Sequence, residues 1–345
     1  MSLRILWAGP SSTVQDAGRF GYRRFGVPVA GAADEQAYRL ANLIVGNADG
    51  EAVIESTLAG PTVEFSEDCA VCATGARFAP RLNGVRMDMG RAVFCRAGDV
   101  LEMGAATAGC RGYLAVFGGI NVPVVMGSRS TYARAGLGGH MGRALRDGDM
   151  LPVGSHGDFP GGLSLRHAES RIHEERSVLR ALLGPQDDLF SRIAVGQFFA
   201  GEYMVGNQSD RMGVRLAGEG LAHLGDGNIV SDGVSAGAIQ IPGDGQPIVM
   251  LTDAQTTGGY PQIAYVATVD LPILAQFRPG DRVRFVPISE DDAQALYLAR
   301  LLECEALRRR LDAISAQARD FDIKIAGTTH RVSIVPADEP CEKTR

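Results

Sequence analysis

The chain has 345 residues, of which 45% are hydrophobic and 21% charged, and its formal net charge is −6. This is the composition of a folded protein. The acidic balance argues against a general nucleic-acid binder and against a protein of anionic membrane surfaces, because both need a basic face. No run approaches 18 apolar residues and the first residues lack a signal-peptide core, so we expect a cytoplasmic protein.

Glycine is unusually frequent, at 44 residues, and has no period. Scattered glycine at this level is typical of tight turns and β-bulges. The composition therefore favours a loop-rich β protein.

The chain opens with a short predicted strand at residues 4–8, followed by a polar, glycine-punctuated loop at residues 13–22. A helix is predicted next, with Asp34 as N-cap and Gly46 at its end. Its apolar residues recur at helical spacing at Ala37, Leu40, Ala41 and Ile44.

Short apolar or alternating runs fill residues 52–153 and indicate a closed β-barrel or a sandwich. This pattern is lost over residues 154–177, which predicts a domain junction there. A strand-like run restarts at residue 178, and β structure is expected to continue to about residue 287. The predicted division is an N-terminal β-rich barrel domain (1–160), a C-terminal barrel domain (178–287) and an extension (288–345).

The extension begins with a long amphipathic helix over residues 289–318. Ser289 is a good N-cap, and the three acids that follow it favour a helix start. Its apolar residues are Ala293, Leu296, Leu301, Leu307, Leu311 and Ile314. A small hairpin is predicted over residues 321–335, and the last residues are expected to be disordered.

Several chemistries are disfavoured. The only lysines are Lys324 and Lys343, so the first 323 residues offer no Schiff-base, P-loop or biotin-bearing lysine. No H-E-x-x-H motif is present, and the pair Cys69 and Cys72 lies in a strand-like stretch, so no metal site is expected. Residues 233–237 match the G-x-S-x-G nucleophile elbow, but a strand rather than a helix is predicted after Ser235, so Ser235 is not expected to be a nucleophile.

Residues 245–261 carry the densest polar cluster, in which a buried strand leads to Asp253, Gln255, Thr256, Thr257 and Tyr260. Hydroxyl and amide groups beside glycines can present several donors to one oxyanion or amide oxygen. The alternative is a turn whose side chains satisfy only its own backbone.

Two further segments offer charged groups. Arg129 and Arg134 lie in a loop rich in glycine and hydroxyls, which is either an anion site or simply solvated. Asp210 and Arg211 are positioned to pair with each other or with a substrate.

Ten motifs that occur in order over residues 3–287 resemble the biotin-dependent carboxyltransferase family, also called allophanate hydrolase subunit 2. This family includes the C subunit of 5-oxoprolinase and the Kip antagonist. The motifs are Thr13-Val14-Gln15-Asp16, Gly18-Arg19, Gly26-Val27-Pro28, Leu40-Ala41-Asn42, Val45-Gly46-Asn47, Gly127-Ser128-Arg129-Ser130-Thr131, Ser209-Asp210-Arg211-Met212-Gly213, Gly237-Ala238-Ile239-Gln240-Ile241-Pro242, Gln255-Thr256-Thr257-Gly258-Gly259-Tyr260 and Asp270-Leu271-Pro272.

The resemblance implies a mainly β fold with cyclophilin-like β-barrel domains, and no activity for the chain alone. It implies partners that resemble the B subunit of 5-oxoprolinase, of the Kip-inhibitor type, and the A subunit, in a complex that opens the lactam of 5-oxoproline using ATP. The ATP site is not identifiable in this sequence. In urea carboxylase, similar domains transfer a carboxyl group from biotin to urea. No Met-Lys biotinylation motif is present here, so covalent biotin is not expected on this chain.

Both family reactions act on a planar, amide-like carbonyl, so we expect the candidate residues to bind and polarise such a group. Gln255, Thr256, Thr257 and Tyr260 are expected to polarise or orient the substrate. Arg129 or Arg134 is expected to hold its anionic group, with Arg211 as a further binding candidate. Asp253 or Asp210 is expected to transfer a proton.

Three functions stay open: a component of 5-oxoprolinase, a carboxyltransferase for urea or another amide with a separate biotin carrier, and a regulatory protein that binds a Kip-inhibitor-like partner without catalysis. A small amide is the expected ligand of the first two.

Overall fold

The computed structural model describes residues 1–155, 157–169, 177–325 and 328–336, and over these ranges the chain is mainly β, as predicted. Alternating apolar residues in the first half form two sheets, which share one core that includes Leu3, Ile5, Val63, Phe65 and Leu101. Their strands are β1 (Ser2–Trp7), β2 (Ser12–Gln15), β3 (Val53–Thr57), β4 (Ala59–Phe65), β5 (Cys69–Arg77), β6 (Arg81–Leu82), β7 (Val85–Arg86), β8 (Val93–Cys95), β9 (Val100–Ala105), β10 (Ala108–Val116) and β11 (Met150–Pro152).

The first sheet has the strand order β11-β1-β4-β9-β6-β7 and the second β2-β3-β10-β5-β8. All their pairings are antiparallel; for example, Leu3 lies opposite Phe65. Cys69 and Cys72 are fully buried in β5, in agreement with a structural role. No cluster of metal-ligating side chains occurs among the described residues.

Helix α1 (Glu35–Val45) packs on the second sheet and has the predicted ends. The side chain of Asp34 accepts a hydrogen bond from the backbone N–H of Ala37, and Gly46 ends the helix with a left-handed backbone (φ 89°). Its buried face joins Tyr38 and Ala41 to Tyr113 of β10.

The second half closes a seven-stranded barrel in the order β12-β19-β16-β17-β14-β13-β20. Its strands, with the short β15 and β18 beside them, are β12 (Val178–Leu183), β13 (Tyr203–Val205), β14 (Gly213–Ala217), β15 (Asp232–Gly233), β16 (Ala238–Gln240), β17 (Ile248–Met250), β18 (Thr257–Gly258), β19 (Gln262–Val266) and β20 (Arg282–Pro287). The parallel pairing of β12 with β20 closes it. Ser235 is followed by strand β16, so the nucleophile elbow is absent here, as expected.

The expectation of continuous β structure in this half is wrong at two places, α2 (Arg192–Ala200) and α3 (Leu271–Ala275). Helix α2 begins at Ser191, whose hydroxyl accepts from the N–H of Ala194, and buries Phe198 against Phe285 of β20. The predicted domain limits remain predictions, and residues 170–176 of the predicted junction lie outside the described residues.

Helix α4 (Glu290–Gln317) follows the barrel and starts at the Ser289 N-cap, as predicted. Leu311, in its second half, is the one buried residue of this helix at 0% exposure, whereas Leu298 and Leu302 are 57% and 62% exposed. The predicted hairpin is formed by β21 (Arg319–Ile325) and β22 (Thr328–Ile334). The predicted disorder of the last residues falls outside the described ranges. Among the described residues, even this longest helix lacks the apolar stretch that a membrane crossing needs.

Arg166 fixes α4 to α1. Its guanidinium is buried and donates to the carbonyl oxygens of Leu43 and Ile44 at the end of α1 (2.7 and 2.8 Å). It also donates to the carbonyl of Leu311 (2.8 Å) and the hydroxyl of Ser315 (2.7 Å). One cation thus satisfies the carbonyl of Ile44 at the end of α1 and links α1 to α4.

Candidate functional site

The polar cluster after β17 is held by its backbone. The N–H of Val234 donates to the carbonyl of Thr256 (3.0 Å), and β18 pairs with β15. Within the described ranges, no hydrogen bond involves the hydroxyls of Thr256, Thr257 or Tyr260. Tyr260 is 40% exposed. The backbone of the segment is thus bonded to β15, while the three hydroxyls have no hydrogen bond within the described ranges; their role as donors to a ligand stays a prediction.

Three glutamines lie under this segment. Gln255 donates to the side-chain oxygen of Gln240 (3.4 Å), and Gln240 lies opposite Gln262 in the pairing of β16 with β19. Gln240 and Gln262 are buried, and Gln262 donates to the carbonyl of Gly233 (3.0 Å). The hydroxyl of Tyr265 donates to the side-chain oxygen of Gln262.

Sequence reasoning missed Gln240, Gln262 and Tyr265. The available signal was a polar residue at a buried strand position, which requires a hydrogen-bond partner. A row of neutral amides beside hydroxyls offers both donors and acceptors, and this suits a planar amide substrate.

Arg211 and Asp253 pair with each other rather than standing free. Arg211 donates to both carboxylate oxygens of Asp253 (2.9 and 3.0 Å) and also to Glu55 of β3. Burial alone would lower the pKa of Arg211, but the carboxylates of Asp253 and Glu55 raise it instead. Arg211 therefore links the barrel to the N-terminal half as a permanent cation.

Glu55 continues this network into the N-terminal half. Its carboxylate accepts from the N–H of Ala33 (2.8 Å) and the hydroxyl of Tyr113 (2.9 Å). Burial works to raise the pKa of Glu55, but the positive charges of Arg211 and Arg111 outweigh burial and lower it. Glu55 is a neighbour of the candidate site that the sequence motifs did not identify.

Gln276 of the barrel half forms a second bridge. Its amide nitrogen donates to Asp34 (2.7 Å) and to the carbonyl of Arg111 (3.0 Å), while its oxygen accepts from the N–H groups of Cys110 and Arg111. Burial raises the pKa of Asp34 to about 6. The junction between the two halves is thus a buried polar layer rich in hydrogen bonds, in which Nε of Arg111 has no hydrogen-bond partner.

Asp210 lies apart from Arg211. Its side chain is exposed and accepts from the N–H groups of Met212 (2.7 Å) and Gly213 (3.3 Å), which closes its own turn. The Asp210–Arg211 pair considered from the sequence does not form.

The loop that carries Arg129 is anchored by Asp16. The carboxylate of Asp16 accepts from the hydroxyls of Ser128 and Ser130 and from the N–H of Arg129. The Arg129 side chain donates to Asn121 and to the carbonyl of Val122 (both 3.2 Å). Arg134 is exposed and has no hydrogen bond within the described ranges.

Buried Arg19 connects this loop to the segment after β17. It donates to the carbonyls of Val125 (3.0 Å) and Ser130 (2.8 Å). Its backbone N–H donates to Val29, and the next residue, Ala30, donates to the carbonyl of Thr252 (3.0 Å). Burial lowers the pKa of Arg19, and Asp16 and Asp253 oppose that effect. The two candidate segments therefore meet at one junction between the halves, although no direct contact joins Arg129 to Gln255.

The fold and the candidate site agree with one protein family. Residues 25–287, which include every site residue predicted from the sequence, match the family model described as "Carboxyltransferase domain, subdomain A and B". The chain belongs to this carboxyltransferase-domain family.

Two named relatives and one solved structure are similar to most of this chain. The chain is 41% identical to the C subunit of 5-oxoprolinase from Escherichia coli, over 84% of this chain and 93% of that protein. It is 36% identical to the C subunit of 5-oxoprolinase from Haemophilus influenzae, over 89% of this chain and 98% of that protein. The crystal structure of Kluyveromyces lactis urea carboxylase superposes with a TM-score of 0.83 at 32% identity, over 89% of this chain but 29% of that longer chain.

Proposed function

We propose that this chain is the C subunit of an ATP-dependent 5-oxoprolinase complex, which opens the lactam of 5-oxoproline to L-glutamate. The observation that carries the proposal is the near end-to-end match to two proteins of that name, which covers 93% and 98% of their lengths. The partners are a protein of the Kip-inhibitor type that resembles the B subunit and a protein that resembles the A subunit. The chain alone is inactive.

The reaction breaks the bond between the ring nitrogen and the carbonyl carbon, and water supplies the oxygen of the new carboxylate. Negative charge develops on the carbonyl oxygen, so donors aimed at that oxygen accelerate the reaction. Gln255, Thr256, Thr257 and Tyr260 fill this role, since the three hydroxyls have no other hydrogen bond within the described ranges.

The substrate carboxylate requires a cation. Arg134 is the better of the two loop arginines for this role because the Arg129 guanidinium already donates to Asn121 and Val122. Arg211 is held by Asp253 and Glu55, so its role and that of Asp253 are to set the junction rather than to contact substrate. Asp210 closes its own turn, so neither aspartate is assigned the proton transfer.

Nucleotide binding is assigned to the partner proteins. The sequence has no P-loop, and its only two lysines lie at positions 324 and 343. ATP would then be used by the assembled complex rather than held by a phosphate loop of this chain.

A carboxyltransferase for urea or another amide, served by a separate biotin carrier, is the second candidate. The TM-score of 0.83 to a urea carboxylase favours it. The chemistry at the site would again be stabilisation of charge on an amide-like oxygen.

Reconstitution tests the proposal. Glutamate release from 5-oxoproline and ATP is measured with this chain and its A-like and B-like partners, and with each protein omitted in turn. We expect turnover only in the complete mixture. Turnover that is indifferent to this chain would rule out its assignment to 5-oxoprolinase, and urea-dependent consumption of carboxybiotin on an added carrier would favour the second candidate.

A further inference from the structure

A cavity of about 630 Å³ lies where α1, α3 and α4 meet, away from the polar cluster of the candidate site. It falls within the size range of small-molecule pockets, roughly 300–1,000 Å³. Its walls come from the N-terminal half, the barrel and the extension. The wall from α4 lies beyond residue 287, where the family match ends, so the cavity is not a feature of the matched domain alone.

Arg300 supplies the cavity with an available cation. Its guanidinium forms no hydrogen bond or ion pair within the described ranges. Of the nearby carboxylates, Asp270 is held by Arg180 (2.9 Å from Nε) and Asp34 by Gln276 (2.7 Å), whereas Glu303, one turn along α4, forms no ion pair within the described ranges. Burial lowers the pKa of Arg300, as expected for a cation desolvated without an ion-pair partner.

Gln36, in the first turn of α1, supplies an available acceptor. Its side-chain oxygen is buried and has no hydrogen-bond partner. Buried amide oxygens almost always have one. Gln36 and Arg300 line the same cavity.

The remaining wall combines apolar side chains with the carboxylates of Glu169 and Glu303. It includes Leu40 and Leu43 of α1, Pro272 of α3, and Leu301 and Leu307 of α4. The rim carries the ion pair between Glu35 and Arg39 (2.7 Å), which already satisfies that arginine's charge. The cavity thus combines the cation of Arg300, the unpaired acceptor of Gln36 and an apolar surface with the carboxylates of Glu169 and Glu303 and with Arg310, which donates to the carbonyl of His167.

We propose that this cavity binds an amphipathic carboxylate that carries an amide N–H. The carboxylate pairs with Arg300, the N–H donates to Gln36, and the apolar body packs on the leucines. An N-acyl amino acid has all three groups. The inference does not depend on the proposed function, because none of these residues belongs to the candidate site.

Alkylation of Cys304 can show whether a ligand occupies the cavity. It lines the cavity and is the one half-buried cysteine within the described ranges, where the other four are buried. In a full-length chain carrying Cys341→Ser, alkylation of Cys304 by iodoacetamide is followed by mass spectrometry. N-acetyl-phenylalanine is the probe, and calorimetry gives its Kd independently.

We expect N-acetyl-phenylalanine to slow alkylation in a saturable way. N-acetyl-phenylalaninamide lacks the carboxylate and 3-phenylpropanoate lacks the N–H, so each should bind about tenfold more weakly or worse. Arg300→Gln should weaken the parent probe by about tenfold or more and abolish its advantage over the amide. Gln36→Met should abolish its advantage over 3-phenylpropanoate.

The matched control is Arg309→Gln on the same helix, where the arginine is 79% exposed, pairs only with Glu305 and does not line the cavity. This variant should bind as the parent does. Unchanged circular dichroism and unchanged alkylation without ligand show that Arg300→Gln is folded. Absence of protection by N-acetyl-phenylalanine at millimolar concentration, or equal binding of its amide, overturns the proposal.

Discussion

Two guanidinium nitrogens of Arg211 donate to the two carboxylate oxygens of Asp253, at 2.9 and 3.0 Å. Both residues belong to the barrel half. The same guanidinium reaches the carbonyl of Gly31 (2.6 Å) and the carboxylate of Glu55 in the N-terminal half. An acidic residue beside the polar cluster of the site is therefore committed to the junction between halves. Its loss should act on stability before it acts on catalysis.

Glu55→Gln tests the strength of this junction. Glu55 is buried, with a side chain 2% exposed, so removing its charge leaves Arg211 partly unpaired. We expect the free energy of unfolding to fall by about 3 kcal/mol in urea titrations. The control is Glu202→Gln, which breaks exposed pairs with Arg282 and Arg284 and should leave the free energy of unfolding nearly unchanged. Equal losses for the two variants would contradict a buried junction.

Asp34 predicts a pH dependence. Its carboxyl has a pKa of about 6 in the folded chain because of burial, against 3.8 for an ordinary aspartate. A raised folded pKa gives stability that is complete below the ordinary value and lost as pH rises through about 6. Ionising Asp34 in the fold should cost up to about 3 kcal/mol.

The measurement compares wild type with Asp34→Asn, which keeps a helix-capping oxygen but cannot ionise. The stability of wild type relative to the variant should decline between about pH 4 and pH 7. Titrations of other groups cancel in this difference. A stability difference that stays constant over this pH interval would show that burial does not raise the pKa of Asp34.

Thr256→Val and Tyr260→Phe test the hydroxyls of the candidate site. If these groups bind the developing oxyanion, removing one should lower kcat of the reconstituted complex about 100-fold and leave the unfolding free energy nearly unchanged. Thr107→Val is the control, because Thr107 is exposed in the N-terminal half and its hydroxyl donates only to the carbonyl of Arg77. Full turnover in both site variants would exclude the assignment.

Ser235→Ala should keep turnover within about twofold, since Ser235 lacks the strand–turn–helix setting of a nucleophilic serine. A fluorophosphonate probe should leave the serine unlabelled. Loss of turnover together with labelling of Ser235 would restore the hydrolase reading that the fold disfavours.

Arg166→Lys tests the docking of α4. Lysine cannot reach the carbonyls of α1 and α4 with a planar fork, so we expect a loss of about 3 kcal/mol and faster proteolysis of α4. Arg309→Lys, on the exposed side of the same helix, should leave the free energy of unfolding and the rate of α4 proteolysis unchanged.

How far the sequence predicts this fold depends on how local each signal is. Both ends of α1 and the start of α4 were predictable because Asp34, Gly46 and Ser289 act on their own neighbouring backbone. The closure of the barrel was not, since β12 and β20 are about a hundred residues apart and no local pattern encodes their pairing. Helix α2 was missed although Ser191 was an available cap signal, because its apolar residues lack a clear helical stripe.

The candidate site likewise contains residues that local sequence predicts and residues that only the fold identifies. The cluster at residues 253–260 was visible because its polar groups are adjacent in sequence. Gln240 and Gln262 gain their meaning only from facing each other across β16 and β19. Asp253 and Arg211 were identified as important residues, but only the fold reveals that they bind each other.

Helix α4 leaves the last barrel strand and ends against α1 of the other half, over 28 residues or about 42 Å. A rigid rod attached at both ends behaves as a brace, so the two halves cannot hinge without releasing Arg166 or bending the helix. The chain should therefore present its candidate site to partners as a preformed surface, and assembly should change the shape of this protein little.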